Sequence, residues 1–290
     1  MRSEAQVLAQ LLDFARAHAA IRAVVMNGSR VNPAVRKDLF CDYDVVYYVP
    51  RPGDFLADQS WLPTFGELVM LQQNDEFWRD QAYCIFLMLF ADGVRIDLSF
   101  QPLAALAELG DDTLTTVLLD KDGLIPSLPP PCDAGYYTPC PGAKEFSDTL
   151  NEILWCSNNV AKGLWRGEPA YVKHMLDAII RPCVLRLLAW EVGERRAWQL
   201  DSGKFGKWLG LYLPAETWQA YLRTYAGAGE AETWQALFAL LELVRQVGGP
   251  LAARLGYAYP ADDHRRLLVY LEHARALPKD AVSWDADGAA

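Results

Sequence analysis

Two aspartates on one predicted strand are the residues of this chain best suited to chemistry. Asp42 and Asp44 lie in the stretch C-D-Y-D-V-V-Y-Y-V at residues 41–49. Because side chains alternate along a strand, both carboxylates project from the same face. Two adjacent carboxylates repel each other and are costly to bury unpaired, whereas a divalent cation such as Mg²⁺ stabilises the pair. The spacing therefore indicates a Mg²⁺ site.

A glycine turn precedes this strand. The apolar run at residues 24–26 ends at N-G-S-R, residues 27–30, which is typical of a buried strand that breaks into a turn. Gly28 allows backbone N–H groups to approach a ligand closely, and Ser29 adds a hydroxyl donor, so the turn suits a phosphate. Alone, each motif is weak, since a D-x-D pair is often a solvated strand edge. In this order, the two motifs indicate Mg²⁺-nucleotide chemistry.

The composition excludes one class of partner. The chain has 290 residues, 52% of them hydrophobic, and a net charge of −10. It therefore lacks the excess of basic residues with which proteins bind nucleic acid. Its negative net charge suits a cationic ligand. The six cysteines form no C-x-x-C pair, which is typical of a reduced protein. With no signal peptide or membrane span in the sequence, we expect a cytoplasmic protein with no membrane partner.

The predicted elements of the first half position these residues. An amphipathic helix over 4–18 begins at a capping box of Ser3 and Gln6. Four apolar stretches predict further strands and a hairpin with an Asp-Gly turn, and a short helix follows them. In the second arm of the hairpin, Arg95, Asp97 and Ser99 share the face opposite the apolar one. The strands are predicted at 21–26, 42–49, 65–72, 83–90 and 94–100, and the short helix at 103–109.

The second half is predicted to be helical. Six of the 17 prolines fall within residues 124–143, which predicts a connector. Beyond it the hydrophobic period is helical, with a kink expected at Pro182 and a helix end at Gly248-Gly249. The helices are predicted at 144–166, 169–192, 214–225, 230–247 and 260–277. We therefore predict a catalytic domain over 1–125, a connector over 126–143, a helical domain over 144–280 and a disordered tail over 281–290.

Three long motifs closely resemble the aminoglycoside 6-adenylyltransferases, the streptomycin-modifying enzymes. They are I-R-A-V-V-M-N-G-S-R-V-N-P at 21–33, K-D-L-F-C-D-Y-D-V-V-Y-Y-V at 37–49 and V-A-K-G-L-W-R at 160–166. The resemblance extends from Met1 to about Leu277. This family belongs to the nucleotidyltransferase superfamily, which resembles DNA polymerase beta in its catalytic core. The resemblance implies an α+β fold: an N-terminal nucleotidyltransferase domain with a mixed sheet, followed by an all-helical C-terminal bundle.

The resemblance also implies the catalytic residues. Asp97 lies in R-I-D-L, a pattern in which the superfamily places its third metal carboxylate. Asp42, Asp44 and Asp97 are then expected to hold two Mg²⁺ ions. For the general base, Asp97 and Glu145 both stay open, because some relatives use a glutamate of the helical domain.

Nucleotide contacts are expected from two parts of the chain. Gly28, Ser29 and Arg30 are expected to contact the triphosphate from the glycine turn. Lys162 and Lys173 are expected to reach it from the helical domain. On spacing alone, each lysine is better explained as a solvated surface side chain, so these two assignments depend on the resemblance.

Acidic residues of the helical domain are the candidates for acceptor binding. Glu145, Asp148 and Glu152 are spaced by three and four residues, so they line one helix face. Asp177 is a further candidate. Their carboxylates suit the guanidinium and ammonium groups of an aminoglycoside, although a solvated acidic face explains the same spacing.

The reaction implied by the resemblance is transfer of AMP from ATP to an aminoglycoside hydroxyl, with release of pyrophosphate. The implied acceptor is the 6-hydroxyl of streptomycin, and the implied outcome is antibiotic resistance. Two alternatives stay open. One is a nucleotidyltransferase of the same fold that acts on another drug or on a protein. The other is a non-catalytic nucleotide or drug sensor, which predicts the loss of at least one metal carboxylate, whereas all three are present.

Overall fold

The structure is a computed structural model that describes residues 1–79 and 81–285. The chain divides into two compact units, Met1–Gly135 and Tyr136–Ala290. The first unit is built on a six-stranded sheet and the second is helical, so the predicted α+β class is confirmed. The division at Gly135 lies inside the predicted connector, residues 126–143.

The sheet of the first unit is mixed. Its strand order is β3-β4-β5-β2-β1-β6, in which β2 and β5 are parallel and the other neighbouring strands are antiparallel. The parallel pair lies in the interior of the sheet, where both strands are protected by neighbours. The strands are β1 (Ala23–Asn27), β2 (Tyr43–Val49), β3 (Leu68–Trp78), β4 (Gln81–Phe90), β5 (Arg95–Pro102) and β6 (Thr115–Asp120).

Apolar residues cover both faces of β2. Tyr43, Val45 and Tyr47 pack into the main core of this unit, together with helix α1 (Glu4–Ala17). The Tyr47 hydroxyl donates a hydrogen bond to the Leu11 carbonyl at 2.7 Å. On the other face, Val46 and Tyr48 are buried in a smaller cluster. Asp44 is the only residue of β2 that is not buried, so the strand is a core element with a single polar position.

Several predicted elements of the first unit differ from the observed ones. The capping box of Ser3 and Gln6 is present, as predicted, at the start of α1. The strand predicted over 65–72 is instead β3, Leu68–Trp78, and the helix predicted over 103–109 is a 3₁₀ segment, Leu103–Glu108. Strand β3 continues beyond the apolar residues that predicted it, because its backbone pairs with β4 along its length. A short helix α2 (Pro52–Ala57) and strand β6 were not predicted.

The second unit contains one hydrophobic core formed by most of its helices. A π-helical segment, Met175–Ile180, joins α4 to α5. Pro182 lies in the first turn of α5, directly after the π-helical segment, where its missing N–H is tolerated; the kink predicted there stays a prediction. The helices are α3 (Ala143–Arg166), α4 (Pro169–His174), α5 (Arg181–Arg195), α6 (Leu209–Tyr212), α7 (Ala215–Leu222), α8 (Glu230–Leu255) and α9 (Ala261–Ala276).

Helix α8 continues past its predicted end. The prediction that Gly248-Gly249 stops it is wrong, because α8 runs through Pro250 to Leu255. Gly248 packs against Tyr259, whose ring would lie 3.0 Å from an added Cβ atom, so this glycine permits close packing. Buried contacts beyond it outweigh the low helix propensity of Gly and Pro. Among the described helices, α8 alone is long and apolar enough to cross a membrane, and 56% of its most apolar window is buried in the protein.

The C-terminal segment is described up to residue 285. Trp284 stacks on Tyr270 of α9 with ring centroids 4.7 Å apart. Residues 286–290, the last part of the tail predicted at 281–290, lie outside the described residues.

Candidate active site

Polar residues form a row across four neighbouring strands of the sheet. Asp44 of β2 is paired with Asn27 of β1 and with Asp97 of β5. Asn27 is paired in turn with Thr115 of β6, whose hydroxyl donates to Asn27 Oδ1 at 3.2 Å. Directly paired residues project from the same face of a sheet. The row therefore places the carboxylates of Asp44 and Asp97 side by side on one face.

The glycine turn after β1 lies against Asp44. Gly28 has a φ of +76°, in the left-handed region that favours glycine. A Cβ atom added to Gly28 would overlap Asp44 Oδ2. The turn is a short 3₁₀ segment, Gly28–Arg30, and the Ser29 hydroxyl lies 3.4 Å from the thiol of Cys41. The absence of a side chain at Gly28 thus allows the turn's backbone to lie next to the Asp44 carboxylate, while the Gly28 N–H donates to the Leu114 carbonyl at 3.0 Å. The predicted binding of phosphate by this turn stays a prediction.

Arg95 connects two of the three predicted metal ligands. Its Nε donates to Asp97 Oδ1 at 2.8 Å and its Nη2 to Asp97 Oδ2 at 2.6 Å. Its Nη1 lies 3.6 Å from Asp42 Oδ2. The three aspartates and Arg95 therefore form one charged cluster, with three formal negative charges against one positive charge.

The charge on Asp44 is disfavoured in this cluster. The pKa of Asp44 is raised to about 6, first by burial and then by the neighbouring Asp97 and Asp42 carboxylates, against smaller opposing effects of Arg95 and Arg30. A carboxylate whose pKa is raised by burial and by like charges is stabilised when a cation arrives. This electrostatic state supports a site that binds cations.

The residues present fit Mg²⁺ in their donor chemistry. Carboxylate oxygens are the ligands that Mg²⁺ prefers in proteins. Asp44 of β2 is paired with Asp97 of β5, and Asp42 directly precedes β2 and lies near enough to affect the pKa of Asp44. Within residues 1–79 and 81–285, no three His, Cys, Asp or Glu side chains are already arranged to coordinate one ion. The donor chemistry of the cluster therefore suits Mg²⁺, but coordination of one ion by all three carboxylates would require side-chain rearrangement.

The side chain of Arg30 forms structural contacts within the first unit. Its buried guanidinium donates from Nε to the Asp42 carbonyl at 3.0 Å, from Nη2 to the Cys41 carbonyl and from Nη1 to Glu4 at 2.9 Å. It also stacks over the Tyr43 ring at 3.6 Å from the centroid. Arg30 thus connects the segment before β2 to helix α1. Its predicted contact with the triphosphate stays a prediction.

Two of the predicted residues lie far apart on α3. Glu145 is exposed in the first turn of this helix, and Lys162 is exposed near its end. At about 1.5 Å of rise per residue, they lie about 25 Å apart along the helix axis. Glu145 and Lys162 therefore cannot both contact the same reacting atoms.

The other predicted residues of the helical unit have partners of their own. Asp148 forms an ion pair with Lys144. Asp177 lies in the π-helical segment and forms an ion pair with Arg181 at 2.9 Å. Lys173 donates to the Ala226 carbonyl at 2.8 Å. Their predicted roles in binding the acceptor or the nucleotide stay predictions.

Sequence reasoning did not identify three members of the site. Asn27, Thr115 and Arg95 lie in or beside the row of polar residues. Arg95 carried a usable signal, since it shares a strand face with Asp97 two residues away. The β-branched run T-T-V at 115–117 is a weaker indication of the strand that contains Thr115.

Comparison with known proteins gives the family. A family model described as streptomycin adenylyltransferase matches residues 1–274. The chain is 34% identical over 269 residues to an aminoglycoside 6-adenylyltransferase of Bacillus subtilis (strain 168), covering 91% of this chain and 95% of the relative. It is also 34% identical to an aminoglycoside 6-adenylyltransferase of Campylobacter jejuni, covering 91% and 93%. A crystal structure of an aminoglycoside 6-adenyltransferase from Bacillus subtilis matches with 29% identity, 96% and 100% coverage and a TM-score of 0.48. The chain therefore belongs to the streptomycin adenylyltransferase family and is an enzyme of the adenylyltransferase class.

Proposed function

We propose that this enzyme transfers AMP from ATP to the 6-hydroxyl of streptomycin, releasing pyrophosphate and inactivating the drug in the cytoplasm. Adenylyl transfer implies ATP as the co-substrate. The names of the curated relatives support an aminoglycoside as the acceptor. The observation that supports the chemistry most directly is the pairing of Asp44 with Asp97 beside the Gly28 turn.

The three aspartates are proposed as the metal ligands. Asp42, Asp44 and Asp97 would hold two Mg²⁺ ions, which when bound neutralise the charge of the leaving pyrophosphate and lower the pKa of the acceptor hydroxyl. The β2–β5 pairing fixes the backbones of Asp44 and Asp97, so little ordering of the main chain is needed at this position. Gly28 and Ser29 are proposed to hold the β- and γ-phosphates: the Ser29 hydroxyl as a hydrogen-bond donor, and Gly28, whose own N–H donates to the Leu114 carbonyl at 3.0 Å, by letting the phosphates approach the turn closely.

Two carboxylates are proposed to accept the proton of the acceptor hydroxyl. Asp97 is the first candidate, because it is paired with Asp44 and thus adjoins the proposed reaction centre. Glu145 is the second candidate. Within the described helical unit, Glu145 forms no ion pair, so its charge is available to a ligand.

Acceptor recognition is proposed to use the acidic residues of α3 and the π-helical segment. Streptomycin carries guanidinium groups, which pair well with carboxylates. Glu145 is the main candidate, and Asp148 and Asp177 keep side chains that are 62% and 49% exposed beside their partners. For the nucleotide, Lys162 is favoured over Lys173, because Lys173 already donates to the Ala226 carbonyl.

The acceptor assignment predicts a selective reaction. In an assay of pyrophosphate release from Mg-ATP, we expect release with streptomycin and none with spectinomycin or kanamycin, because only the first offers the streptidine 6-hydroxyl. Mass spectrometry of the drug should show one added adenylyl group.

Two other outcomes would contradict this assignment. Release with kanamycin or spectinomycin would assign another aminoglycoside as the acceptor. If the protein binds Mg-ATP but releases no pyrophosphate with any of the three drugs, the result would favour a different acceptor or a nucleotide sensor. The presence of all three carboxylates argues against the sensor.

A further inference from the structure

Arg95 lies among the carboxylates that the proposed function assigns to Mg²⁺. We infer that Arg95 is an internal counter-cation that competes with the metal for Asp97 and Asp42, and that it therefore sets the metal affinity of the site. This inference rests on the proposed metal-binding role of the three aspartates. The three aspartates favour metal binding, whereas Arg95 opposes it.

The hydrogen bonds of Arg95 use the same atoms that a metal needs. The guanidinium engages both oxygens of Asp97, at 2.8 and 2.6 Å, and approaches Asp42 Oδ2 at 3.6 Å. Such a bidentate pair between Arg and a carboxylate is among the stronger side-chain interactions. A Mg²⁺ ion demands carboxylate oxygens in close, nearly octahedral geometry. Occupation by Arg95 and coordination of the metal are therefore antagonistic, and the antagonism is reciprocal.

The backbone that carries Arg95 is held in place. The hairpin between β4 and β5 is connected to the N-terminus by Arg2, which donates to Asp92 Oδ2 from its backbone N–H at 2.8 Å and from Nε at 2.9 Å. The Val94 N–H also donates to Asp92, at 3.2 Å. Because these hydrogen bonds at Asp92 hold the turn before β5, we expect Arg95 to leave the aspartates by rotation of its side chain.

The surroundings of Arg95 permit that rotation. Its side chain is 45% exposed, so it can leave Asp97 without opening the core. A cavity of about 440 Å³ adjoins it, lined by Arg95, Asp42 and the carboxylate of Glu4 among others. Glu4 already pairs with Arg30 at 2.9 Å and with Lys37 at 3.5 Å. Because these cations already compensate the charge of Glu4, the cavity offers a displaced guanidinium room and access to solvent rather than a new ion-pair partner.

A different role for Arg95 makes a different prediction. If Arg95 served only to bind the triphosphate, its removal would weaken binding of Mg-ATP and leave the affinity for the free metal unchanged. If Arg95 competes with the metal, its removal strengthens binding of the free metal in the absence of any nucleotide. Measurement of metal binding alone therefore separates the two roles.

The test is Mn²⁺ binding to the full chain without nucleotide, followed by electron paramagnetic resonance of the free ion. We expect Arg95→Met to tighten Mn²⁺ binding by about tenfold or more, since an opposite charge at this range changes the cation affinity of a carboxylate by about 10- to 1,000-fold. Arg95→Lys, which keeps the charge without the planar fork, should give an intermediate affinity.

Arg51→Met is the matched control. It removes the same charge beyond the other end of β2, about 20 Å from Asp44 along the strand direction, and should leave Mn²⁺ affinity unchanged. Thermal unfolding gives a second readout. Without metal, Arg95→Met should melt below the wild type, and added Mg²⁺ should raise its melting temperature by more than it raises that of the wild type.

The outcomes separate this inference from the proposed function. Equal Mn²⁺ affinities of the wild type and Arg95→Met, with binding lost in Asp44→Asn, would overturn the role of Arg95 and keep the metal site. Absence of saturable Mn²⁺ binding in both the wild type and Arg95→Met would overturn the metal site and, with it, the role of Arg95.

Discussion

Asp44→Asn is expected to abolish adenylyl transfer while leaving the fold intact. Asp44 occupies the middle of the row of polar residues, between Asn27 and Asp97. The substitution preserves the shape of the side chain but removes the negative charge that the proposed metal ions require. We expect kcat to fall by on the order of 1,000-fold or more, since removal of a group that stabilises transition-state charge alone costs about 100- to 1,000-fold. Pyrophosphate release with streptomycin measures this loss.

The same substitution should stabilise the metal-free protein at neutral pH. Because the pKa of Asp44 is raised to about 6 in the fold, from 3.8, the native state binds the proton more tightly than the unfolded chain. Stability therefore falls as the pH rises from about 4 to about 6, and ionised Asp44 opposes folding at pH 7 by up to roughly 3 kcal/mol. Asp44→Asn should remove this dependence, as measured by urea unfolding in EDTA across that pH range.

Asp13→Asn is the control for both measurements. Its carboxylate is exposed on α1 and, among the described residues, its ion pair is with Arg16 three residues away, so neither activity nor the pH dependence should change. Full activity of Asp44→Asn would remove Asp44 from the proposed metal site. A variant that is less stable than the wild type at pH 7 would contradict the electrostatic argument.

Gly28→Ala should cause the second large loss, through the geometry of Asp44. An added methyl group would overlap Asp44 Oδ2, and the φ of +76° is itself unfavourable for alanine. We expect a destabilisation of about 1–3 kcal/mol and a loss of at least about 100-fold in kcat, because a shift of about 1 Å in a catalytic group has an effect of this size. Urea unfolding and the pyrophosphate assay measure the two effects separately.

Gly53→Ala is the matched control for Gly28→Ala. Gly53 lies in helix α2 of the same unit, and outside its own chain neighbours and helix backbone no heavy atom of the described residues lies within 4 Å of the position that a Cβ would take. Alanine favours helices over glycine, so this variant should be as stable as the wild type or slightly more stable, with normal kinetics. Wild-type turnover by Gly28→Ala would show that the turn is not closely coupled to the carboxylates.

The parts of the site that could be predicted from the sequence depend on local pattern. The face of Asp44 follows from alternation along β2, which begins one residue after Asp42, and the face of Asp97 follows from alternation in the hairpin. The parallel pairing of β2 with β5 does not follow from such patterns, because β3 and β4 intervene along the chain. The resemblance to a known family supplied the link between Asp97 and the D-x-D strand, and the register gives it a geometric basis.

The contacts that could not be predicted join residues that are far apart in the sequence. The guanidinium of Arg30 binds the carbonyls of Cys41 and Asp42, more than ten positions away in sequence, and no spacing rule indicates this. Lys173 likewise donates to Ala226 in a distant loop. In α8, glycine and proline predicted a helix end, whereas tertiary packing of Gly248 against Tyr259 allows the helix to continue. Local propensity is a weak guide wherever such packing is available.

Removal of the metal is the most direct test of the account, which assigns the chemistry to three carboxylates acting through Mg²⁺. The measurement is transfer of label to streptomycin from ATP labelled at its α-phosphorus. We predict that EDTA reduces the transfer to background and that Mg²⁺ restores it in the wild type but not in Asp44→Asn. Undiminished transfer in excess EDTA would contradict the role of the metal. In a parallel reaction with ATP labelled at its γ-phosphorus, transfer of that label to the drug would contradict adenylyl transfer.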